Sequence, residues 1–409
     1  MGYNAGVTVS AEDLARSTKR LRAHPSDWGA WLELAVVLSA LGHTDEAETA
    51  FATIGEGARV AGRVSLAVAC GRHLAELGSV RGPELVDQVV ETYATGGPHF
   101  AFTAPPAPEE PPAIEAPGDL ESEPLAYARF IIDKLGAWLT ARQPKQHSPA
   151  PLLSALSKAG ARALVGVMTP HALPAGATVV EAGAPALALY WLAHGTVSVA
   201  RDGAALGELH SGAFFGEIAL VGGTTRTATV TAAEDLWLLE IPARAVENAA
   251  AKHPKLAEVL AFHARARLLA NLTRTSELFR AFGESDRDEL LGKFESQLVP
   301  AGTKFIEEGG SNEHLWVVVA GKCAVQSAGS VLAELGPGAA VGEISLVSGA
   351  PAVADVVAIE PAVLLRLAKR DFEAVGRRHP ALIAEVEKLV VAREQANRAL
   401  FQDASDLIV

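Results

Sequence analysis

Apolar and small residues recur at helical spacing over residues 11–97. After Pro25 the pattern runs through AWLELAVVLSALG, breaks at Gly42 and resumes through HTDEAETAF to Phe51. A periodic run that stops at a glycine and then restarts is typical of two helices joined by a tight turn. The pattern therefore predicts a helical domain over residues 11–97, built from helical hairpins.

The first hairpin resembles a tetratricopeptide repeat in the order of its large and small packing residues. The matching residues are Trp31, Leu34, Ala35, Leu38, Gly42, Ala47 and Phe51. A degenerate second copy follows, in which Gly71, Leu74 and Gly78 take the places of Ala35, Leu38 and Gly42. The resemblance implies stacked helix pairs with a concave face for a partner protein. A small helical bundle without this repeat is the alternative.

Residues 98–124 are predicted to be a linker, because residues 105–124 hold seven prolines and six acidic residues with no basic residue. Such a composition cannot form a core and tends to extend. A connecting helix is predicted over residues 125–149, since its apolar residues form one face before Pro144. These residues are Leu125, Phe130, Ile131, Leu135 and Leu139. We expect this helix to pack on the domain that follows it.

From about residue 150 the chain repeats itself with a constant offset of 126 residues and no gap. The matched pairs include Gly176 and Gly302, Gly195 and Gly321, Gly216 and Gly342, and Glu217 and Glu343. This register predicts two copies of one fold, over residues 150–275 and 276–402. We call them the first repeat and the second repeat.

Short runs of alternating apolar and polar residues, separated by glycines, fill each repeat. Runs such as ATVVEAG and TATVTAAEDLWLLEI are typical of an antiparallel β-barrel or jelly roll. A helical pattern precedes these runs, and another begins after the His-Pro pairs at 253 and 379. The predicted fold class is α+β and multidomain: a tetratricopeptide-like α-helical repeat, then two antiparallel β-barrel or jelly-roll domains with flanking helices.

Composition and motifs narrow the classes of function. The formal net charge of −13 disfavours nucleic acid as a partner, and no stretch approaches the ~20 apolar residues of a membrane span. The N-terminus lacks an apolar h-region, so we expect a cytoplasmic protein without a membrane partner. Cys70 and Cys323 are expected to be buried thiols, since no CxxC is present. The sequence has no G-x-S-x-G, HExxH or P-loop motif, so we predict neither an enzyme nor a metal site.

The segment FFGEIALVGGTTRTATV, residues 214–230, combines glycines with one acid and one base nine positions apart. A short helical turn that begins near Gly216 presents free backbone N–H groups, and the glycine lets a ligand approach the backbone closely. Arg226 can neutralise a phosphate with a planar fork of donors, and Glu217 can accept the proton of a sugar hydroxyl. A surface ion pair between these two residues, with no ligand, is the alternative.

The order Phe-Gly-Glu, Ile-Ala-Leu and Arg-Thr-Ala-Thr-Val resembles the phosphate-binding cassette of the cyclic-nucleotide-binding domain family. The family includes the regulatory subunits of protein kinase A and the catabolite activator protein. The resemblance covers residues 150–402 and implies that Glu217 accepts a ribose 2′-hydroxyl while Arg226 contacts the exocyclic phosphate oxygens. The implied ligand-binding residues are Gly216, Glu217, Ile218, Ala219, Arg226, Thr227 and Ala228.

The second repeat departs from this pattern at the arginine. Its segment, residues 340–356, keeps Gly342, Glu343, Ile344 and Ser345 as a degenerate site, but Ala352 stands where the first repeat has Arg226. A buried phosphate there would lack its counter-charge, and a buried charge without its partner costs about 3–5 kcal/mol. We therefore expect no tight cyclic-nucleotide binding in the second repeat.

These patterns predict a cyclic-nucleotide-binding regulatory protein, with cAMP favoured over cGMP, that senses its ligand in the first repeat and signals to a separate protein through the helical repeats. Thr227 beside the arginine is the one feature that favours cGMP. The final helix is expected either to form a homodimer seam or to pack on its own domain, with apolar residues at four-three spacing: Leu382, Val386, Leu389, Ala396 and Leu400. The alternative function is a ligand-independent protein scaffold. We do not expect a transcription factor, because about 28 residues after His379-Pro380 are too few for a lid helix and a DNA reader.

Overall fold

The computed structural model describes residues 9–97, 110–114, 122–140, 150–275 and 292–378, together with several residues of 380–395. Most of the predicted linker, the end of the predicted connecting helix and the front helix of the second repeat lie outside the described residues. The described residues of 380–395 are helical. The seam predicted for the final helix lies largely outside them.

Five consecutive helices form the N-terminal region. They are α1 (Ala11–Ala23), α2 (Trp28–Ala40), α3 (Thr44–Val60), α4 (Val64–Glu76) and α5 (Arg81–Tyr93). Each packs on the next along the chain, and the predicted packing residues Trp31, Leu38 and Phe51 are fully buried. Gly42 and Gly78 end α2 and α4 with the same φ of 79°, a left-handed backbone that favours glycine. Helical hairpins are confirmed, and the tetratricopeptide assignment stays a prediction.

Helix α6 (Pro124–Thr140) packs against α1 and α3. Its face of Ile131, Leu135 and Leu139 is buried, and Leu139 lies so close to Gly57 of α3 that a Cβ there would sit 2.6 Å from the leucine Cγ. The prediction that this helix packs on the domain after it is therefore wrong. An amphipathic face shows that a helix is packed but does not select its partner.

The strands and helices of the two repeats match at the predicted offset. In the first repeat they are α7 (Pro151–Ser154), α8 (Lys158–Gly166), β1 (Thr169–Leu173), β2 (Thr178–Val180), β3 (Ala188–His194), β4 (Thr196–Arg201), β5 (Ala204–His210), β6 (Phe214–Phe215), α9 (Glu217–Gly222), β7 (Thr229–Ala232), β8 (Leu236–Pro242), α10 (Ala243–Lys252) and α11 (Pro254–Thr275). In the second they are β9 (Glu295–Val299), β10 (Lys304–Ile306), β11 (His314–Ala320), β12 (Cys323–Ser327), β13 (Ser330–Leu335), β14 (Ala340–Val341), α12 (Glu343–Ser348), β15 (Asp355–Ala358), β16 (Ala362–Ala368) and α13 (Lys369–Arg378).

Each repeat contains two antiparallel four-stranded sheets, in the orders β1-β8-β3-β6 and β2-β7-β4-β5 for the first and β9-β16-β11-β14 and β10-β15-β12-β13 for the second. The paired sheets share an apolar core, which in the first repeat includes Val180, Leu192 and Leu238. Among the described residues, the edge strands of one sheet do not pair with those of the other. The sheets therefore form the open jelly-roll type of the prediction, and the closed barrel is wrong.

Different elements cover the outer sheet face of each repeat. In the first repeat, α4 lies on β1, β3 and β8, where Phe51, His73 and Trp237 form an aromatic cluster with ring centroids 4.5–5.6 Å apart. In the second repeat, Leu268 and Leu269 of α11 pack on the core of β11 and β16. The N-terminal helices thus pack on the first repeat through α4, and the first repeat packs on the second through α11.

Both cysteines are buried, as predicted. Burial raises the pKa of Cys323 to about 11 and also raises the pKa of Cys70, so both thiols stay protonated near neutral pH. Of the helices in the described part of the chain, none combines the length and the apolar character that crossing a bilayer requires.

Candidate ligand-binding site

Residues 214–230, which we call the first cassette, turn sharply at Gly216. The preceding strand β6 pairs with β3, and Gly216 then takes a φ of +93° before α9 begins at Glu217. A Cβ on this glycine would lie 2.5 Å from Nη1 of Arg226. Both the backbone and the close approach of the guanidinium therefore require glycine here.

Arg226 is buried against the backbone of this turn, with 6% of its surface exposed. Its Nη1 donates to the Gly216 carbonyl at 3.1 Å and its Nη2 donates to the Ala188 carbonyl at 2.6 Å. The guanidinium carbon also lies 5.7 Å from the ring centre of Tyr190. Burial lowers the pKa of Arg226, but an arginine starts so high that it stays charged. The site therefore contains one fixed, buried cation.

Glu217 lies at the start of α9 and is 1% exposed. Its Oε1 accepts a hydrogen bond from Nη1 of Arg267 at 2.6 Å, whereas its Oε2 has no hydrogen-bond partner among the described residues. Burial raises the pKa of Glu217, and the neighbouring Arg267 opposes that rise. Since Glu217 is buried and pairs with Arg267, the alternative of a surface ion pair with Arg226 does not hold.

All seven residues that the sequence predicted for the site line one cavity of about 240 Å³. Apolar walls come from the β2-β7-β4-β5 sheet, including Val180, Leu206 and Val230. Helix α11 contributes Arg267, Ala270 and Asn271. The cavity therefore joins a buried acid and a buried base with an apolar interior, an arrangement suited to a small anion that carries hydroxyl groups.

The role of Arg267 did not emerge from the sequence. The residue lies on α11, the helix that follows His253, and its guanidinium carbon stands 5.6 Å from the ring centre of Phe214. Fifty positions separate it from Glu217, and which face of α11 meets the cavity depends on tertiary packing. Only the basic character of this helix, with Arg265 and Arg267 near its middle, hinted at such a contact.

The second cassette, residues 340–356, repeats the backbone of the first. Gly342 has a φ of 88° and precedes α12, and Glu343 is buried. The backbone N–H of Ala352 donates to the Gly310 carbonyl at 2.9 Å, and the Ala352 carbonyl accepts from the Gly309 N–H at 2.7 Å. The backbone of Arg226 makes the matching two bonds, to the Ala184 carbonyl at 2.9 Å and from the Gly183 N–H at 2.8 Å. The predicted degenerate residues thus occupy matching positions, but position 352 holds no cation.

No metal centre is visible in the described part of the chain, where no group of three or more His, Cys, Asp and Glu side chains has suitable geometry. The first cavity combines one buried carboxylate, Glu217, with two guanidinium groups, those of Arg226 and Arg267.

Two segments of the chain match one known family. Residues 170–253 and 296–379 each match the family model described as "Cyclic nucleotide-binding domain". The two matches to the cyclic nucleotide-binding domain model therefore lie in tandem, one in each repeat.

Relatives of several kinds share this region. The cyclic nucleotide-gated potassium channel mll3241 of Mesorhizobium japonicum is 35% identical over 109 residues, which are 27% of this chain and 30% of the channel. The cGMP-dependent protein kinase egl-4 of Caenorhabditis elegans is 27% identical over 281 residues, which are 67% of this chain and 34% of the kinase. The chain thus spans about a third of the length of these curated relatives. The solved regulatory domain of Toxoplasma gondii PKA with cAMP is 18% identical, with a TM-score of 0.29 over 60% of this chain and 92% of that chain.

Proposed function

We propose that this chain is a regulatory protein that binds a cyclic nucleotide, cAMP in preference to cGMP, in its first repeat. The observation that carries the proposal is the pairing of two buried groups in one cavity: Glu217, with an oxygen that has no described partner, and Arg226. A buried acceptor without a donor costs about 1–3 kcal/mol. A ligand hydroxyl would remove that cost.

The proposed ligand fills the cavity in one orientation. Its ribose 2′-hydroxyl donates to Oε2 of Glu217, since Oε1 is held by Arg267. Its phosphate lies against Arg226, which uses two of its five N–H groups in the described hydrogen bonds. The remaining polar contacts come from Ile218, Ala219, Thr227 and Ala228, which line the same wall.

Two contacts support transmission of binding to the second repeat. Helix α11 forms a wall of the cavity and also packs on the second repeat. In α9, Ile218 packs on the same core, and a Cβ on Gly222 would lie 3.0 Å from Cγ2 of Val363. A ligand that binds one position of α9 and α11 more tightly than another shifts the second repeat with them.

The output is proposed to be a separate protein bound by the N-terminal helices, not a nucleic acid, given the net charge of −13. The face of α4 is already covered by the first repeat, so the partner must use another face. A groove between α3 and α5 that is lined by charged residues is available, with Glu56, Arg59, Arg81 and Glu84 among them.

Calorimetric titration of the full chain with cAMP and with cGMP tests the proposal. We expect micromolar or tighter binding, with cAMP the tighter ligand, and its loss in Arg226→Ala. The absence of binding heat with both nucleotides, at two temperatures, would leave the ligand-independent scaffold as the function.

A further inference from the structure

The second cassette contains a side chain that takes over the hydrogen bonds of the missing arginine. In the first repeat, Arg226 donates to the carbonyls of Ala188 and Gly216. The corresponding carbonyls in the second repeat belong to His314 and Gly342. Both accept from Nδ2 of one residue, Asn312, at 2.7 and 3.1 Å.

The orientation of the Asn312 amide follows from its neighbours. Its Oδ1 lies 3.4 Å from the backbone nitrogen of His314 and 3.4 Å from Nε1 of Trp316, both of which are donors. The opposite orientation would place the amide oxygen against two carbonyls and the amide nitrogen against two N–H groups. The network therefore fixes Nδ2 as the donor to both carbonyls.

Asn312 and Arg226 also occupy the same space beside the cassette glycine. A Cβ on Gly216 would lie 2.5 Å from Nη1 of Arg226, and a Cβ on Gly342 would lie 2.5 Å from Nδ2 of Asn312. The two side chains arrive from different points of the chain. Asn312 precedes β11, at the position where the first repeat has Ala186.

We propose that Asn312 is a neutral, built-in substitute for the cassette arginine, and that together with Ala352 it determines that the second repeat rejects cyclic nucleotides. The amide ties β11 to the glycine turn with no cation and no ligand, so the second cassette is held in its folded form permanently. A phosphate in this place would meet an amide with its donors already used, and Ala352 would supply no counter-charge.

The substitution series Ala352→Arg, Asn312→Ala and the double variant tests this assignment in the full chain. Because Ala352 shares the backbone hydrogen bonds of Arg226, an arginine there would start from the correct backbone position. We expect Ala352→Arg alone to add no cAMP site by calorimetry, because Asn312 occupies the arginine's place. The double variant should have one more cAMP site per chain than the parent, whether or not the parent itself binds cAMP.

Two results would overturn the proposal. One is a gain of one site in Ala352→Arg alone, and the other is no gain in a double variant whose thermal unfolding matches that of the parent. Hydrogen exchange supplies a second readout that needs no ligand. In Asn312→Leu, which removes the amide at similar volume, the amides of residues 343–346 should exchange at least about tenfold faster while those of 217–220 stay unchanged. Equal exchange in parent and variant would equally refute the role of Asn312.

Discussion

The first and second cassettes share a glycine turn, a six-residue helix and one pattern of backbone hydrogen bonds. They differ in what donates to a matched pair of carbonyls: a guanidinium from within the cassette in the first, and an amide from the loop before β11 in the second. The cassette backbone is therefore separable from its ligand chemistry. Either donor can hold the turn, but only the guanidinium supplies a charge.

Their surroundings differ as well. The first cassette lies against the second repeat, because α9 and α11 contact the core of β11 and β16. In the described part of the second repeat, α12 packs on its own strand β11. A change in the first cassette thus has a route to the rest of the chain.

The largest expected effect is that of Arg226→Ala, which removes the cation from the first cassette. We expect cAMP affinity to fall by about a hundredfold or more, since a buried anion without its counter-charge loses about 3–5 kcal/mol. Calorimetry measures the loss, and Arg244→Ala, at an exposed arginine of α10, is the matched control. Affinity within threefold of the parent would show that this cation does not hold the ligand.

The variant Ala186→Asn makes the first cassette more like the second. The new amide would compete with Arg226 for the carbonyls of Ala188 and Gly216, so the guanidinium would lose its position. We expect cAMP affinity to fall by about tenfold, because losing one hydrogen bond to a charged group costs at least about 1.5 kcal/mol of binding free energy. Unchanged affinity with a normal unfolding temperature would argue that residue 186 cannot reach these carbonyls.

Arg267→Ala probes the carboxylate at the other end of the cavity. Glu217 must be ionised to accept the ligand hydroxyl most strongly, and burial already raises its pKa above the ordinary 4.5. The parent's affinity should therefore fall as the pH drops below that raised pKa, by up to about tenfold per pH unit. Loss of Arg267 raises the pKa further, so the decline should begin at a higher pH and affinity at neutral pH should fall about tenfold.

Calorimetric cAMP titrations of the parent and of Arg267→Ala, repeated between pH 8 and pH 5, measure both effects. An identical pH profile in parent and variant would mean that Arg267 does not tune Glu217.

The smallest expected effect concerns Ile218, the half-buried residue of α9 that packs on the second repeat. In Ile218→Ala, saturating cAMP should produce at most about half of the change in amide exchange over residues 315–319 that it produces in the parent. Ile344→Ala, at the matching position of α12, is the control and should leave that response intact. A full response in Ile218→Ala would exclude α9 as the route.

The constant offset of the repeats was sufficient to predict two copies of one fold and the positions of both cassettes, because glycines recur at fixed places such as Gly216 and Gly342, where the backbone has a positive φ. It was not sufficient to predict Asn312 or Arg267. Each reaches its cassette from an element outside the motif, and such contacts depend on tertiary packing. The packing of α6 on α1 and α3 was missed for the same reason: the periodicity of an apolar face identifies the face and leaves its partner open.

The number of cyclic nucleotide sites per chain tests the central claim most directly, because the two cassettes share one backbone and the position of Arg226 in the first is held by Ala352 in the second. Calorimetric titration of the full chain with cAMP should give one site per chain. No site would contradict ligand sensing by the first repeat, and two sites of similar affinity would contradict the distinction between Arg226 and Asn312.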